Sequence, residues 1–375
     1  MPTRRVMILL PTAGYYGVMG EALREAFAVH GVPVTHVCAP IRPHIETLDA
    51  EELRRALDEF APTDVLSVNI PRRELPLPSG VSYHCWIQDP YCAEVKDGPC
   101  AEHVWMLIKH WVDWWGGKYL PCATDFGKYL DAPSEYDADI AIASAMPPLR
   151  MVFFPHDPVQ MVRTNEVMGR LPDYLLESRR FMCDPPYAEE LLARAEEETG
   201  ITLNPALRPL ALTHYQGSIN RHVQRKLLLD ALIPACQRRN WTLALVGPDW
   251  DRYPKYRPYH VGMLGGPHLA RFYQRAKVNL HSNGDSNVHW RPLECLAAGA
   301  FVLSEAHHSD HEPGGFRSML PEEVAPTFSG PEQLEEKLDY YLTHAEARRQ
   351  AIEAGGEIVR RDHTFVQRAA TILES

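Results

Sequence analysis

The feature that most constrains this chain is an alternation of short apolar runs with amphipathic stretches, met once at each end. Arg5–Pro11 (RVMILLP) is almost wholly apolar, as a parallel strand covered on both faces must be. Gly17–His30 follows with helical spacing of Met19, Leu23 and Phe27, and Gly31 stands where a helix C-cap glycine belongs. Val32–Ala39 reads as a second strand. The next helix opens at Asp49, with Glu52 completing a capping box, and Asp64–Asn69 reads as a third strand. Val81–Gln88 (VSYHCWIQ) extends the series. Strand and helix in this order predict a parallel, doubly wound sheet.

The alternation returns from Arg208. Pro209–Thr213 (PLALT) reads as a strand, HYQGSIN as a polar loop, Arg221–Ile233 as a helix and Thr242–Gly247 as a strand. Pro267 opens a further helix, at the position where proline is favoured. Lys277–His281 is then a strand, HSNGDSNVHW a loop, Pro292–Ala298 a short helix and Ala300–Ser304 a strand. Two helices close the chain, one from Pro331 with Ser329 as its cap and one from Ala345. In the middle, Asp139–Ser144 reads as a strand and Pro172–Gly200 as charged and helical. The expected architecture is α/β with two Rossmann-like domains, residues 1–130 and 131–355. A helical insertion spans roughly 150–207, and 356–375 is a final helix able to cross back to the first domain.

Composition narrows the function. A net charge of −11 argues against general affinity for nucleic acid, which rests on neutralising phosphates, but leaves room for a local basic pocket. No run approaches the ~20 apolar residues of a membrane span. The opening MPTRRVMILLPTAG reads as a buried first strand rather than a secretory signal, which implies a cytoplasmic protein. Cys38, Cys85, Cys236 and Cys295 fall in apolar patterns and read as small hydrophobes, not as a disulfide framework.

In open α/β sheets, ligands bind beyond the carboxyl ends of the strands, where helix N-termini favour anions. In the second half those loops are HYQGSINRH, GPDW and HSNGDSNVHWRPLE, with Arg221, Arg225 and Lys226 adding positive charge. Glu294, in the first turn of an otherwise apolar short helix, needs a partner and suits a ribose diol. In the first half, Asp89 of WIQDP ends a strand. The loop Gly14–Gly20 (GYYGVMG), with Tyr15 and Tyr16, follows the first strand but is not a dinucleotide fingerprint.

The segment from Tyr259 to Glu305 resembles the C-terminal domain of GT-B glycosyltransferases (family 1/4 type), and within them the spore-maturation-protein (CgeB-like) group. The matching positions are Tyr273, Ala276 and Lys277, then Arg291, Glu294 and Ala297-Ala298-Gly299-Ala300. The closing stretch from Gly330 to Phe365, the strand ending in WIQDP and the stretch from Tyr119 to Ser144 are similar to other parts of that group. The resemblance implies two domains facing across a cleft and a nucleotide-diphospho-sugar donor held by the C-terminal one. The base would lie near His260–Met263 and the ribose on Glu294. The diphosphate would lie on the loop Asn283–His289, which includes Asn287, with Arg291 beside it and Arg221 or Lys226 opposite. No metal or other cofactor is implied, since helix N-termini and basic side chains stabilise the leaving diphosphate.

A second glutamate, present in the retaining pattern eight residues before the first, is Ser286 here. An inverting transfer would need a general base, for which Asp89 comes first, then His84 and His110. Tyr15 and Tyr16 would flank an acceptor that is a glycan, a protein or a small molecule. A sugar-nucleotide epimerase and a non-catalytic sugar-nucleotide-binding protein stay open as alternatives. His307, His308, Asp310 and His311 are adjacent on a loop and read as structural rather than metal-binding, as do Cys92, Cys100, His103 and Cys122.

Overall fold

A computed structural model describes residues 4–11, 15–39, 50–70, 72, 75, 77–89, 102–130, 135–147, 149, 158–181, 184–205 and 207–375. The chain divides into two compact units, Met1–Gly127 with Glu357–Ser375, and Lys128–Gly356.

In the first unit, β1 (Val6–Pro11) is paired on both sides, which is why its sequence is uniformly apolar. Around it run α1 (Tyr15–Val29), β2 (Val34–Ala39), α2 (Ala50–Phe60), β3 (Asp64–Val68), β4 (Ser82–Ile87), β5 (His103–Met106), α3 (Lys109–Trp115) and β6 (Lys118–Tyr119). All pairings are parallel, in the order β2-β1-β3-β4-β5-β6. The sequence had pointed to neither β5 nor β6, because strands of four and two residues carry no readable period. The expected loop from Gly14 to Gly20 is corrected in its described part, because Tyr15 to Gly20 already form the first turns of α1. Gly20 is there for packing, since a Cβ would lie 2.4 Å from Leu10 Cδ1 on β1. Asp49, the expected cap of α2, lies outside the described residues.

The second unit begins at β7 (Ala138–Ala143). The insertion follows as α4 (Pro158–Met168), α5 (Leu171–Ser178), α6 (Pro185–Thr199) and α7 (Arg208–His214). Here the expectation is overturned: PLALT is α7, and HYQGSIN is no loop. Tyr215–Asn220 form a π-helical turn that runs on into α8 (Arg221–Arg239), giving one helical run over 208–239. Pro209 opens it, and alanine and leucine favour it. Ala211, Tyr215, Ile219 and Val223, four apart, bury one face in a core shared with Leu171, Leu175, Leu191 and Leu192 of the insertion.

The remaining elements are β8 (Leu243–Val246), α9 (Gly266–Gln274), β9 (Ala276–His281), α10 (Trp290–Ala297), β10 (Val302–Glu305), α11 (Phe316–Met319), β11 (Thr327–Phe328) and α12 (Pro331–Thr343). The strands are again all parallel, ordered β11-β10-β9-β7-β8. Gly330, not Ser329, is the N-cap of α12, and no side chain caps it. Ile140, Ile142, Val278, Leu280 and Leu303 form the sheet's share of the core against Leu228, Leu232 and Leu334.

The chain ends with α13 (Ala345–Asp362) and α14 (Phe365–Leu373). Residues from Glu357 onward belong to the first unit. There α14 packs on α1, and Arg368 donates to the carbonyls of Pro121 at 2.8 Å and Cys122 at 2.9 Å.

Candidate active site

The insertion leaves β7 at its carboxyl end, so it is mounted on the edge of the second sheet where ligands bind in such folds. Its fusion with α8 changes the chemistry there. A free N-terminus of α8 would have offered unbonded N–H groups, but the continuous helix has used them. Side chains on the first turns of α8 take their place. His222 Nδ1 donates to the Pro147 carbonyl at 2.7 Å, and Arg225 donates to the Ala145 carbonyl, which fixes this end of α8 just beyond β7.

Three guanidiniums converge here. Arg225 is buried, at 5% exposure, and its Nε has no hydrogen-bond partner. Burial pushes its pKa down, Arg221 and Arg291 push it further, and Asp285 and Glu305 oppose them. Arg221 pairs with Asp285 of the loop between β9 and α10. His281 and His289, at the two ends of that loop, lie with ring centroids 5.2 Å apart. Burial first, and then the arginines, hold both imidazoles well below the ordinary histidine range, so they are neutral at pH 7. His281 Nε2 is buried without a hydrogen-bond partner. His289 is the N-cap of α10, its Nδ1 accepting from the Arg291 N–H at 3.4 Å.

Two further loops brace this arrangement. Ser282 donates to Glu305 Oε2 at 2.6 Å, and Asn287 Nδ2 donates to the Glu305 carbonyl at 2.6 Å and to the Asp310 carboxylate at 3.0 Å. Asp310 also accepts the His307 N–H at 2.8 Å. Asn283 Nδ2 donates to the Ser286 carbonyl at 2.9 Å. Burial raises the Glu305 carboxyl to about 8 against the pull of Ser282 and Arg225. Chemically, this is a cationic cluster around one desolvated guanidinium, countered by the Asp285 carboxylate, with neutral donors beside it and a rigid polar floor.

Residues 221–374 match the family described as Glycosyl transferase-like. The match takes in the second unit from Arg221 onward and runs on into residues 357–374 of the first. No curated protein sequence matches the chain. Solved structures show the fold over its whole length. Sucrose-phosphate synthase from Thermosynechococcus elongatus is similar with a TM-score of 0.55 at 12% identity, over 99% of this chain and 98% of that one. WaaG, a glycosyltransferase involved in lipopolysaccharide biosynthesis, gives 0.52 at 12% over 98% and 99%. A glycosyltransferase from Rickettsia africae ESF-5 gives 0.50 at 9% over 99% and 97%. The fold is GT-B.

The structure brings together Arg221, Arg291, Asn283, Asn287 and His289 of the expected donor residues. Arg225, noted in the sequence only as added charge, is at the centre. The signal that marks it is its spacing from the apolar Leu228, Leu229 and Leu232, three, four and seven residues on, which puts it on a buried face of α8. Lys226 is not part of the group, because it points to Asp230 one turn on, at 2.7 Å, in a half-exposed network with Lys255 and Tyr256. Glu294 is 4% exposed and accepts the Tyr273 hydroxyl at 3.0 Å, in the second turn of α10 rather than the first. His260 faces backbone, its Nε2 donating between the carbonyls of Gly247 at 2.9 Å and Gly262 at 3.1 Å. Gly247 has φ of 123° and a Cβ there would meet the Ser144 carbonyl oxygen at 2.2 Å, so this corner of β8 admits only glycine.

In the first unit, Asp89 stands beyond the carboxyl end of β4 and accepts from Asn69 Nδ2 at 2.8 Å. Asn69 Oδ1 in turn receives the N–H groups of Gln88 at 2.7 Å and Asp89 at 3.1 Å. His84 is corrected. It is fully buried near the amino end of the sheet, 3.4 Å from Asp64 and stacked on His103 at 4.4 Å, where no substrate reaches it. His110 makes an edge contact with Trp111 on α3. The side chains of Tyr15 and Tyr16, like Cys92 and Cys100, lie outside the described residues. Among the described residues no group of histidine, cysteine and carboxylate is arranged to hold a metal. His307 instead hydrogen-bonds Ser309 at 2.8 Å. Nor, among them, is any helix long and apolar enough to cross a membrane.

Proposed function

We propose that this enzyme moves a sugar from a nucleotide-diphospho-sugar to a hydroxyl or amide of a glycan, protein or small molecule, as a member of the CgeB-like group. The observation that carries this reading is the gathering of Arg221 and Arg291 around the buried Arg225 at the carboxyl end of the second sheet, with Arg225 only partly satisfied. A diphosphate supplies negative charge and oxygen acceptors that these guanidiniums can fork onto. As the bond from the sugar to the diphosphate breaks, charge grows on the leaving oxygens, and fixed guanidiniums stabilise it without reorganisation. They supply the charge neutralisation for which other enzymes use a metal, so we assign none.

Glu294, oriented by Tyr273, takes the ribose. The nucleobase lies along His260–Met263, where Val261 is 56% and Met263 71% exposed and apolar surface is on offer. For an inverting transfer we assign the general base to Asp89, which Asn69 holds in place.

The test is a thermal-shift titration with uridine, guanosine, thymidine, cytidine and adenosine diphosphates and their sugars. A ligand at about a hundred times its dissociation constant adds roughly 2.7 kcal/mol of stability. A shift with one base that is lost in Glu294→Ala, and that persists in chelator, supports the reading. No shift with any of them overturns it.

A further inference from the structure

The loop between β9 and α10 carries a negative charge in the place where a phosphate should go. Its backbone is held at several points. Asn283 Nδ2 donates to the Ser286 carbonyl, Val288 N–H donates to Ser286 Oγ at 3.0 Å, and Asn287 is tied to Glu305 and Asp310. Asp285 lies between these ties with its side chain only 14% exposed, and its carboxylate takes the guanidinium of Arg221. It is also the first of the two carboxylates whose attraction Arg225 feels. A carboxylate and a phosphate compete for one guanidinium fork through the same paired geometry. If Asp285 stayed in place, it would repel a bound phosphate. If it left, its own ion pair would be lost. Either way it sets a threshold for anion binding that only a multiply charged ligand overcomes.

We propose that Asp285 is a resident stand-in for the donor's phosphate: it occupies Arg221 in the empty enzyme, and a diphosphate displaces it. The proposal rests on the phosphate reading of the three-arginine pocket and adds a direction that reading lacks. A residue in a binding loop normally lowers affinity when removed, whereas this one should raise it.

The experiment is calorimetric titration of the full-length protein with inorganic pyrophosphate and with the nucleoside diphosphate selected by thermal shift. It compares wild type, Asp285→Asn, Asp285→Ala, Arg221→Gln and the double variant Arg221→Gln/Asp285→Asn. The expected result is pyrophosphate binding about tenfold tighter in both Asp285 variants, because the ligand no longer has to break the Arg221–Asp285 pair to reach that guanidinium. That gain should shrink to less than about twofold when Arg221 is already gone, since the two residues then no longer compete through one guanidinium. Unchanged or weaker pyrophosphate binding in Asp285→Asn and Asp285→Ala, with wild type binding normally, overturns the stand-in and leaves the pocket reading intact. Loss of nucleotide-sugar binding without change for pyrophosphate also overturns it, by making Asp285 a sugar ligand. Failure of every variant and the wild type to bind pyrophosphate or any nucleoside diphosphate overturns both.

Discussion

Each unit of this protein gathers histidine, arginine and carboxylate at one end of a parallel sheet, and the two clusters differ in how their polar atoms are paired. At the amino end of the first sheet, Asp64 accepts from Arg4 at 2.8 Å, from Thr63 at 2.6 Å and from His84 at 3.4 Å. Trp105 Nε1 donates to His84 Nδ1 at 3.4 Å, and Arg4 also binds the Leu373 carbonyl, tying β1 to the end of α14. Arg4, Asp64 and His84 each have a partner within the fold there. At the carboxyl end of the second sheet, Arg225 Nε, His281 Nε2, Glu305 Oε1 and Asn287 Oδ1 are buried with none. Leaving such a group unmade costs about 1–3 kcal/mol, so four of them gathered at one ligand edge point to something that completes them. A satisfied cluster is a structural joint, and an unsatisfied one at a ligand edge is a binding site.

The sharpest way to break this distinction is Arg225→Gln. Removing the buried guanidinium should weaken nucleoside diphosphate binding by about a hundredfold or more, since losing one partner of a desolvated charge pair costs roughly 2–5 kcal/mol. Thermal stability without ligand should fall little or rise, because an under-compensated buried charge has gone. Calorimetry with a parallel melt reads both. Strong destabilisation with unchanged affinity would make the second cluster a joint like the first.

The converse holds for Asp64→Asn. It should lower unfolding free energy by about 2 kcal/mol, the scale of buried hydrogen bonds to a charge, and leave nucleotide affinity alone. Denaturant unfolding beside a binding isotherm checks it, and a change in affinity would return His84 and its neighbours to the catalytic list.

How far these two clusters could be read from the chain follows from what each depends on. Both parallel sheets were legible, because β1 and β7 are apolar runs, β3 is mostly apolar, β9 alternates Val278 and Leu280 with polar residues, and helical periods separate them. The donor loop was legible too, since Asn283, Asn287, His289 and Arg291 lie within nine residues after a strand. Two things were not. PLALT is too short for its period to tell strand from helix, and only the four-residue spacing from Ala211 through Tyr215 and Ile219 to Val223, which crosses the supposed loop, gives it away. Arg225 and Lys226 are adjacent in sequence, so only the rotation of α8 decides which is buried in the site and which meets solvent. His84 was misread for a related reason: its position along β4 relative to Asp64 depends on strand register, which a lone sequence does not display.

The clusters should also differ in the sign of their pH dependence. Burial raises the Asp64 pKa, but hydrogen bonds from His84, Arg4 and Thr63 outweigh it and hold the carboxyl well below its ordinary 3.8. A folded pKa that is depressed contributes stability present above 3.8 and lost as pH falls below it. For Glu305, raised from 4.5 to about 8 by burial, the folded protein binds the proton more tightly than the unfolded chain does. Its contribution is fully present below 4.5 and lost as pH rises toward 8. Urea unfolding from pH 4.5 to 8 should therefore show wild type losing stability relative to Glu305→Gln, by at least about 1 kcal/mol. A flat difference across that window would mean that Glu305 is already ionised and serves as a standing counter-ion to Arg225.

The smallest effect belongs to Lys226→Ala, and it tests the comparison at single-residue resolution. Lys226 precedes Leu227 on α8 and sits one position from Arg225, yet its ammonium is committed to Asp230, which Lys255 also serves. With the pair half-exposed, the exchange should cost under about 0.5 kcal/mol in stability. It should change nucleoside diphosphate affinity less than about twofold, because a charge that faces solvent is screened from a ligand on the other side of the helix. If Lys226→Ala instead weakened binding as strongly as Arg225→Gln, the pocket would extend past the turn of α8 and its boundary would have to be redrawn around Asp230.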